Sequence, residues 1–516
     1  MPAERPWNLS TLLVDARLDA GDGGRIAIRY EGGSISYGEL AERVARAGSA
    51  LRGLGVGRGD RVAMLIADRP EFIATFLGAV RIGAVAVPLN TLLRAEEAID
   101  LVRHCGAVAL VAEAALVRDL RPLLSSVPAV RAALSIGGSA PDSVEFDAIC
   151  AAASPELSPA DTQRDDPCFW QYSSGTTGKS KAVMHRHGDY DAITDLYGKA
   201  VLGLTRDDRS FSVSKLFFSY GLGNSLAFPL RYGASVVLHP GRPQPSAIFD
   251  LIRRERPTIF YTVPTSYAQL LAAAETDPAL ADLSSVRLCI SAGEALPAPL
   301  FERWRARFGL DILDGIGSTE IGYIAISNTP AAVRAGTSGH VIPGYQAKVV
   351  GDDERTLASG EVGDLWVRGP STFTGYHGDP ERTAATIRDG WVVTGDKYSV
   401  DADGFFRWAG RSDDMLKVGG AWVAPAVVEA AVGAHPAVLE CAVVGQTDDS
   451  GLIKPAAFVT LRPGASATAE EIVSFVTQRI APFMRPRWVH FVSELPKTAT
   501  GKIQRYKLRE MTEVLT

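Results

Sequence analysis

Short apolar runs that end in turns, separated by stretches with helical periodicity, recur through much of this chain and restrict its fold more than any other feature. In "SYGELAERVARAGSALRGLGVGRGDRVAMLI", Ser36 and Glu39 stand at capping-box spacing, and Leu40, Val44, Ala47 and Leu51 share one helical face. Glycine-rich punctuation follows, then a predicted strand over Arg61 to Ile66, a helix from about Glu71, and an Ala/Val run ending at Pro88 that reads as a buried strand. The segments "ASVVLHP", "PTIFYTVP" and "VRLCISAGEALP" repeat the pattern. Helices alternating with buried strands imply a doubly wound α/β core, in which ligands gather at strand ends.

From Gly360 the texture changes. "GEVGDLWVRGPSTFTGYHGDP" alternates apolar and polar residues among many glycines, as an antiparallel β unit does. After "GFFRWAGRSDDMLKVGG" the chain starts afresh. A helix near Pro425 to Val432, strands in "ECAVVGQT" and "PAAFVTL", a helix from Ala469 to Ile480 and "WVHFVSELP" make an α+β module of ordinary domain size. The expected division is therefore a large α/β N-terminal domain with a β subdomain over 1–410, a hinge at 411–414, and a small mobile α+β domain over 415–516. A chain of 516 residues exceeds what one core usually organises, so two domains are expected on size alone.

Bulk properties exclude several function classes. A formal charge of -6 gives no polybasic signature for nucleic acid or anionic lipid. Five cysteines (Cys105, Cys150, Cys168, Cys289, Cys441) show neither C-x-x-C nor Cys/His spacing, which points to buried thiols in a reducing compartment rather than disulfides or zinc. No run of 18 apolar residues and no signal-like start occur, so a cytoplasmic protein without a membrane segment is expected.

The first chemical signal is "SSGTTGKSK", Ser173 to Lys181. A Walker loop needs G-x-x-x-x-G-K-[ST], so that backbone N–H groups wrap the phosphates along the whole span. Here Gly175 lies only three residues before Gly178, and hydroxyls cluster at Ser173, Ser174, Thr176 and Thr177. An ordinary P-loop is excluded.

"YSSGTTGKSKAVMH", "GIGSTE", "TGD", "GRSDDMLKVGG" and "PKTATGKIQR" together resemble the signature segments of the adenylate-forming superfamily of acyl-CoA synthetases, luciferase and peptide-synthetase adenylation domains, in the family's order. Within it, "KLFFSYGLGNSLAFPL" and "DGIGSTE" resemble the benzoate-type aryl-CoA ligases. The resemblance implies an enzyme that couples ATP to an aromatic carboxylic acid and passes the acyl group to CoA, releasing AMP and pyrophosphate.

It also implies roles for residues. The loop of Ser173, Ser174, Gly175, Thr176, Thr177, Gly178 and Lys181 would grip the departing phosphates, with proline and glycine of the usual family loop replaced here by Ser180 and Ala182. Gly293, Glu294 and Ala295 would flank adenine, with Asp314 and Gly315 close by. Thr319 would contact phosphate, Glu320 would associate with Mg²⁺, and Asp396 assisted by Arg411 would accept the ribose hydroxyls. His187 would lie near the carboxylate. Lys502 would bridge the carboxylate and the α-phosphate, then withdraw as the C-terminal domain rotates about Asp413. That rotation would bring in Lys417, Gly419 and Gly420 beside the thin pantetheine arm of CoA.

By the same resemblance Phe218, Ser219, Tyr220, Gly221 and Phe228, with Gly317, Tyr323 and Ile324, would wall the acid pocket. Benzoate ligases typically follow the Glu320 position with a bulky residue and a histidine, whereas this chain has Ile321, Gly322 and Tyr323. The expectation is that Gly322 frees space and Tyr323 supplies a hydroxyl, favouring a polar-substituted benzoate such as 2-aminobenzoate or a hydroxybenzoate. Two rival readings share the fold: a stand-alone adenylation enzyme that loads a carrier protein, and a catalytically silent acyl- or ATP-binding protein. A homodimer is an admissible assembly.

Overall fold

The computed structural model describes residues 7–174, 180–241, 244–418, 421–448, 452–497 and 503–515. Ser36 caps the helix Tyr37–Gly53 as its spacing predicts: its hydroxyl accepts from Glu39 N, and the Glu39 carboxylate accepts from Ser36 N at 2.7 Å. Arg61–Leu65 is a strand, Pro70–Arg81 a helix with proline in its first turn, and Val85–Pro88 a buried strand. The helix Pro70–Arg81 is apolar nearly all round, with Phe72, Ile73, Phe76, Leu77 and Val80 in the core, because sheet and helix cover it on opposite sides.

These two helices touch backbone to backbone. A Cβ on Gly48 would stand 2.8 Å from the Gly78 carbonyl oxygen, and one on Gly78 would stand 2.7 Å from Gly48 N. No real Cβ tolerates such contacts, so Gly78→Ala must push the helices apart. We expect a loss of about 1–3 kcal/mol, read as a lower urea midpoint; an unchanged midpoint would show that the helices separate freely.

Two large sheets form the first part of the molecule. One has eight strands, with Pro167–Ser174, Val85–Pro88, Arg61–Leu65, Ala107–Glu113 and Ala132–Ile136 running parallel. The other has nine, with a parallel core of Ile312–Gly317, Leu288–Ser291, Ile259–Thr262, Arg209–Ser212, Ser235–Val237 and Ile26–Tyr30. The predicted antiparallel unit is a five-stranded sheet built on Gln346–Val350, Gly363–Arg368, Trp391–Val400 and Phe406–Arg411.

Beyond Arg411 comes a short 3-10 turn, Ser412–Asp414, and then the α+β module. Its antiparallel strands Val438–Thr447 and Ile453–Leu461 are joined by Trp488–Phe491 in parallel, with helices Pro425–Gly433 and Ala469–Thr477 packed nearby. The second helix stops three residues short of the predicted Ile480. All five cysteines are free, and Cys105, Cys168 and Cys289 are buried as small hydrophobes. No helix of the described residues is long and apolar enough to cross a membrane.

One topological detail decides what the glycine-rich loop can be. The strand Pro167–Ser174 pairs antiparallel with Ser180–Arg186, with Ser174 opposite Ser180. The loop between them therefore tips a hairpin and does not feed a helix N-terminus as a P-loop does.

Candidate active site

The hairpin delivers Ser173 and Lys181 to the turn that follows the strand Ile312–Gly317. Glu320 lies in that turn, and its Oε1 accepts from Tyr376 Oη at 2.9 Å and from Ser173 Oγ at 3.4 Å. The Lys181 ammonium sits 5.0 Å from the centre of the Tyr376 ring, a cation–π contact. Burial lowers the Lys181 pKa below the usual lysine range, the Glu320 carboxylate opposes that shift, and Arg382 and Arg411 reinforce it. A carboxylate, an ammonium and guanidinium groups thus lie within electrostatic reach of one another. That charge pattern suits a polyanion carrying a cation.

The turn is held from behind. Phe373 N donates to the Glu320 carbonyl at 2.8 Å, and His185 Nε2 lies 2.7 Å from the Thr319 carbonyl. The other ring nitrogen of His185 faces Asp189 Oδ2 at 2.9 Å, and Asp189 also accepts from Arg186 N and Nε. Both imidazole nitrogens therefore face oxygen atoms, one of a carboxylate and one of a backbone carbonyl.

Asp396 and Arg411, to which the resemblance gave the ribose, meet in the structure. Asp396 and Arg411 are cross-strand neighbours, with Arg411 Nη1 3.2 Å from Asp396 Oδ2, and Trp408 Nε1 donates to Asp396 Oδ1 at 3.4 Å. Glu294, beside Gly293 and Ala295, accepts from Thr265 Oγ1 at 3.0 Å. Asp314 is buried beside Ser291, and burial raises its carboxyl well above the ordinary range. Gly315 and Gly317 continue its strand.

The residues to which the resemblance gave the acid pocket assemble as a second cluster. Ser219 Oγ donates to Gln171 Oε1 at 2.8 Å, and Tyr220 Oη donates to the Ile290 carbonyl at 3.1 Å. Tyr323 stacks on Tyr220 with centroids 5.8 Å apart and meets Phe228 edge-on at 4.8 Å. Ile324 is buried beside them. Gly221 packs so tightly that a Cβ there would lie 2.0 Å from the Lys215 carbonyl oxygen. The segment is anchored by buried Asp68, which accepts from Leu216 N at 2.9 Å and lies 3.7 Å from Lys215 Nζ.

Two expectations need correction. Gly322 does not open the pocket: it holds φ +89°, and a Cβ would stand 3.1 Å from the Ser371 carbonyl and 3.0 Å from Ile193 Cδ1. It is a turn glycine in a close-packed place. His187 does not join the charge cluster either. It falls just past the end of the strand Ser180–Arg186, fully buried, where its Nδ1 accepts from Leu9 N at 3.1 Å. Sequence reading also missed Tyr376 and His185. Only the second had a signal, as the histidine on the strand parity of Lys181 that lies nearer the loop.

Gly175, Thr176, Thr177, Gly178, Gly419, Gly420 and Lys502 lie outside the described residues. The backbones of Ser174, Asp413 and Lys417 close the first hairpin strand, occupy the 3-10 turn and continue into the strand Leu416–Val418, respectively.

Burial lowers His187 from an ordinary 6.5 to about 4, so between those values the unfolded chain takes up a proton that the folded chain refuses. Stability through His187 is thus lost as pH falls through that window. Asp68 acts in the opposite sense. Burial raises it from 3.8 to about 6, and the folded chain holds the extra proton between those values. We expect His187→Gln to gain stability relative to the parent by roughly 1 kcal/mol per pH unit on acidification from about 6.5 to 4. Parallel stability curves for the two proteins would contradict this.

Comparison with known proteins gives the same picture. A family model described as AMP-binding enzyme matches residues 16–377, and one described as AMP-binding enzyme C-terminal domain matches 427–502. The chain is 45% identical over 508 residues to a benzoate–CoA ligase of Thauera aromatica, covering 98% of this chain and 96% of that one. Among solved structures, an anthranilate CoA ligase in complex with anthranoyl-AMP superposes with a TM-score of 0.95 at 41% identity, over 99% of this chain and 98% of that one. A benzoate CoA ligase from Burkholderia xenovorans does so with a TM-score of 0.90 at 42% identity, over 98% of this chain and all of that one.

Proposed function

Because this chain belongs to the AMP-binding enzyme family, we propose that it is an aryl-CoA ligase: it adenylates a small aromatic carboxylic acid with ATP, then forms the CoA thioester. The observation that carries the reading is the convergence of Glu320, Lys181, Ser173 and Arg411 beside a separate cluster of Tyr220, Phe228 and Tyr323. One half suits the triphosphate and the other an aromatic ring.

A carboxylate is a poor electrophile, since attack would add charge to an anion. In the first step a carboxylate oxygen attacks the α-phosphorus, the bond to pyrophosphate breaks, and an acyl-adenylate forms. Cations must converge where charge builds. Lys181 and its loop would hold the leaving pyrophosphate, Asp396 and Arg411 the ribose, and Lys502 the reacting anions.

Glu320 fits magnesium by its chemistry. Mg²⁺ takes oxygen ligands and commonly joins one carboxylate to nucleotide phosphates, and Glu320 offers a carboxylate with the Ser173 hydroxyl beside it. Among the described residues no group of three or more His, Cys, Asp or Glu could hold a metal unaided. When bound, the ion would neutralise phosphate charge.

In the second step the CoA sulfur attacks the acyl carbon and AMP leaves. A free thiol with pKa near ~8.5 is only slightly ionised at neutrality, so positioning supplies much of the rate. Rotation of residues 415–516 about Asp413 would replace Lys502 by the segment of Lys417, Gly419 and Gly420.

The test is AMP and pyrophosphate release with a panel of aromatic acids, ATP and CoA. Formation of acyl-CoA supports the reading. Transfer only to a carrier-protein pantetheine would convert it to the loading enzyme, and no acid-dependent pyrophosphate release would leave a silent binding protein.

A further inference from the structure

The polar floor of the aromatic cluster has a direction. Ser212 Oγ donates to the Ser214 carbonyl at 3.0 Å, which commits its one proton. Ser212 Oγ can then only accept, and it accepts from Asn224 Nδ2 at 3.1 Å. That bond orients the amide, so Asn224 Oδ1 faces the Tyr323 hydroxyl and receives its proton. Tyr323 is left with oxygen lone pairs to which no described residue donates.

The neighbouring hydroxyls do not restore a donor. Tyr220 gives its proton to the Ile290 carbonyl, which also accepts from Tyr267 Oη at 3.1 Å. Asn224 interacts with the Tyr220 hydroxyl as well. The hydroxyls of Tyr190, Tyr197 and Tyr261, the other tyrosines around Tyr323, make no hydrogen bond to it. Asn224 and Ser212 are buried, and Tyr323 is enclosed by Tyr197, Tyr220 and Phe228. Gly223 lets the ring come this near, since a Cβ there would meet Tyr323 Cε2 at 2.6 Å.

We propose that Ser212 and Asn224 polarise Tyr323 into a hydrogen-bond acceptor, so that the pocket selects aromatic acids whose ring carries a donor, an amino or hydroxyl group. This rests on the aryl-acid reading above. Fluoro, methoxy and nitro groups, which only accept, would face a lone pair with a lone pair. An unsubstituted ring would leave the buried oxygen unpaired. Asn224 and Ser212 are positioning residues here, and Tyr323 is the group that meets the ring substituent.

The experiment measures kcat/KM for pyrophosphate release with amino-, hydroxy-, fluoro- and methoxybenzoates at each ring position, against benzoate. At one position the donor-bearing acids should exceed the fluoro acid by about tenfold. Tyr323→Phe should bring that ratio close to one. Asn224→Ala frees the tyrosine proton, so the methoxy and fluoro acids should gain on the amino acid, a change of preference that simple loss of packing does not produce. A preference for benzoate or fluorobenzoate at every position overturns the proposal, as does a donor ratio unchanged in Tyr323→Phe. Turnover of aromatic acids without donor preference sinks this inference alone, whereas no turnover of any aromatic acid overturns the parent reading with it.

Discussion

Glu320→Gln is expected to lower the ATP–pyrophosphate exchange rate by about 10²–10³-fold and to move the magnesium requirement to higher concentration. Glutamine keeps the size of the side chain and an oxygen that can still accept from Tyr376 and Ser173. The turn itself is held by backbone contacts, through Phe373 N and the Thr319 carbonyl. What disappears is the charge, both as the proposed metal ligand and as the counter-charge that opposes the lowered pKa of Lys181. Tyr376→Phe removes one hydrogen bond and leaves that charge, so it should cost at most about tenfold. Exchange within threefold of the parent at every magnesium concentration would remove Glu320 from the metal role.

Lys502→Ala should separate the two half-reactions. Acyl-adenylate formation is expected to fall by about 10³-fold, because two anions must meet without the cation that offsets their repulsion. Thioester formation from supplied acyl-adenylate should stay within a few-fold, since the acyl carbon is already activated and the proposed rotation would have displaced the lysine. The change should leave the C-terminal module folded. The helix Arg505–Leu515 that follows is tied by Arg505 to Glu429 at 2.6 Å and by Arg509 to Asp414 at 2.9 Å. Burial opposes the charge of Arg505, but Glu429 outweighs it and raises the pKa. Equal losses in both half-reactions would contradict domain alternation.

The second prediction comes almost wholly from sequence, the first only in part. "TATGKIQR" names its lysine through a local motif, and "GSTE" does the same for its glutamate. The partners of Glu320 are another matter: Tyr376 is 56 residues away and Ser173 is 147. The histidine behind the turn shows how narrow the margin is. His185 and His187 lie on the same strand parity, and only the end of the strand at Arg186 sends one to Thr319 and the other into the core.

Periodicity and capping spacing specified the helices, the buried parallel strands and the antiparallel unit, because each depends on residues within one or two turns of each other. Loop spacing likewise ruled out a P-loop and motif order pointed to adenylation. The proton direction in the aromatic cluster was not accessible in this way. Donation runs from Tyr323 through Asn224 and Ser212 to the Ser214 carbonyl, across a separation of 99 residues at its first link. Gly322 was misread for the same reason, since its neighbours Ile193 and Ser371 arrive from distant segments. Local chemistry is written along the chain, whereas hydrogen-bond partners and steric neighbours exist only once separate strands are packed side by side.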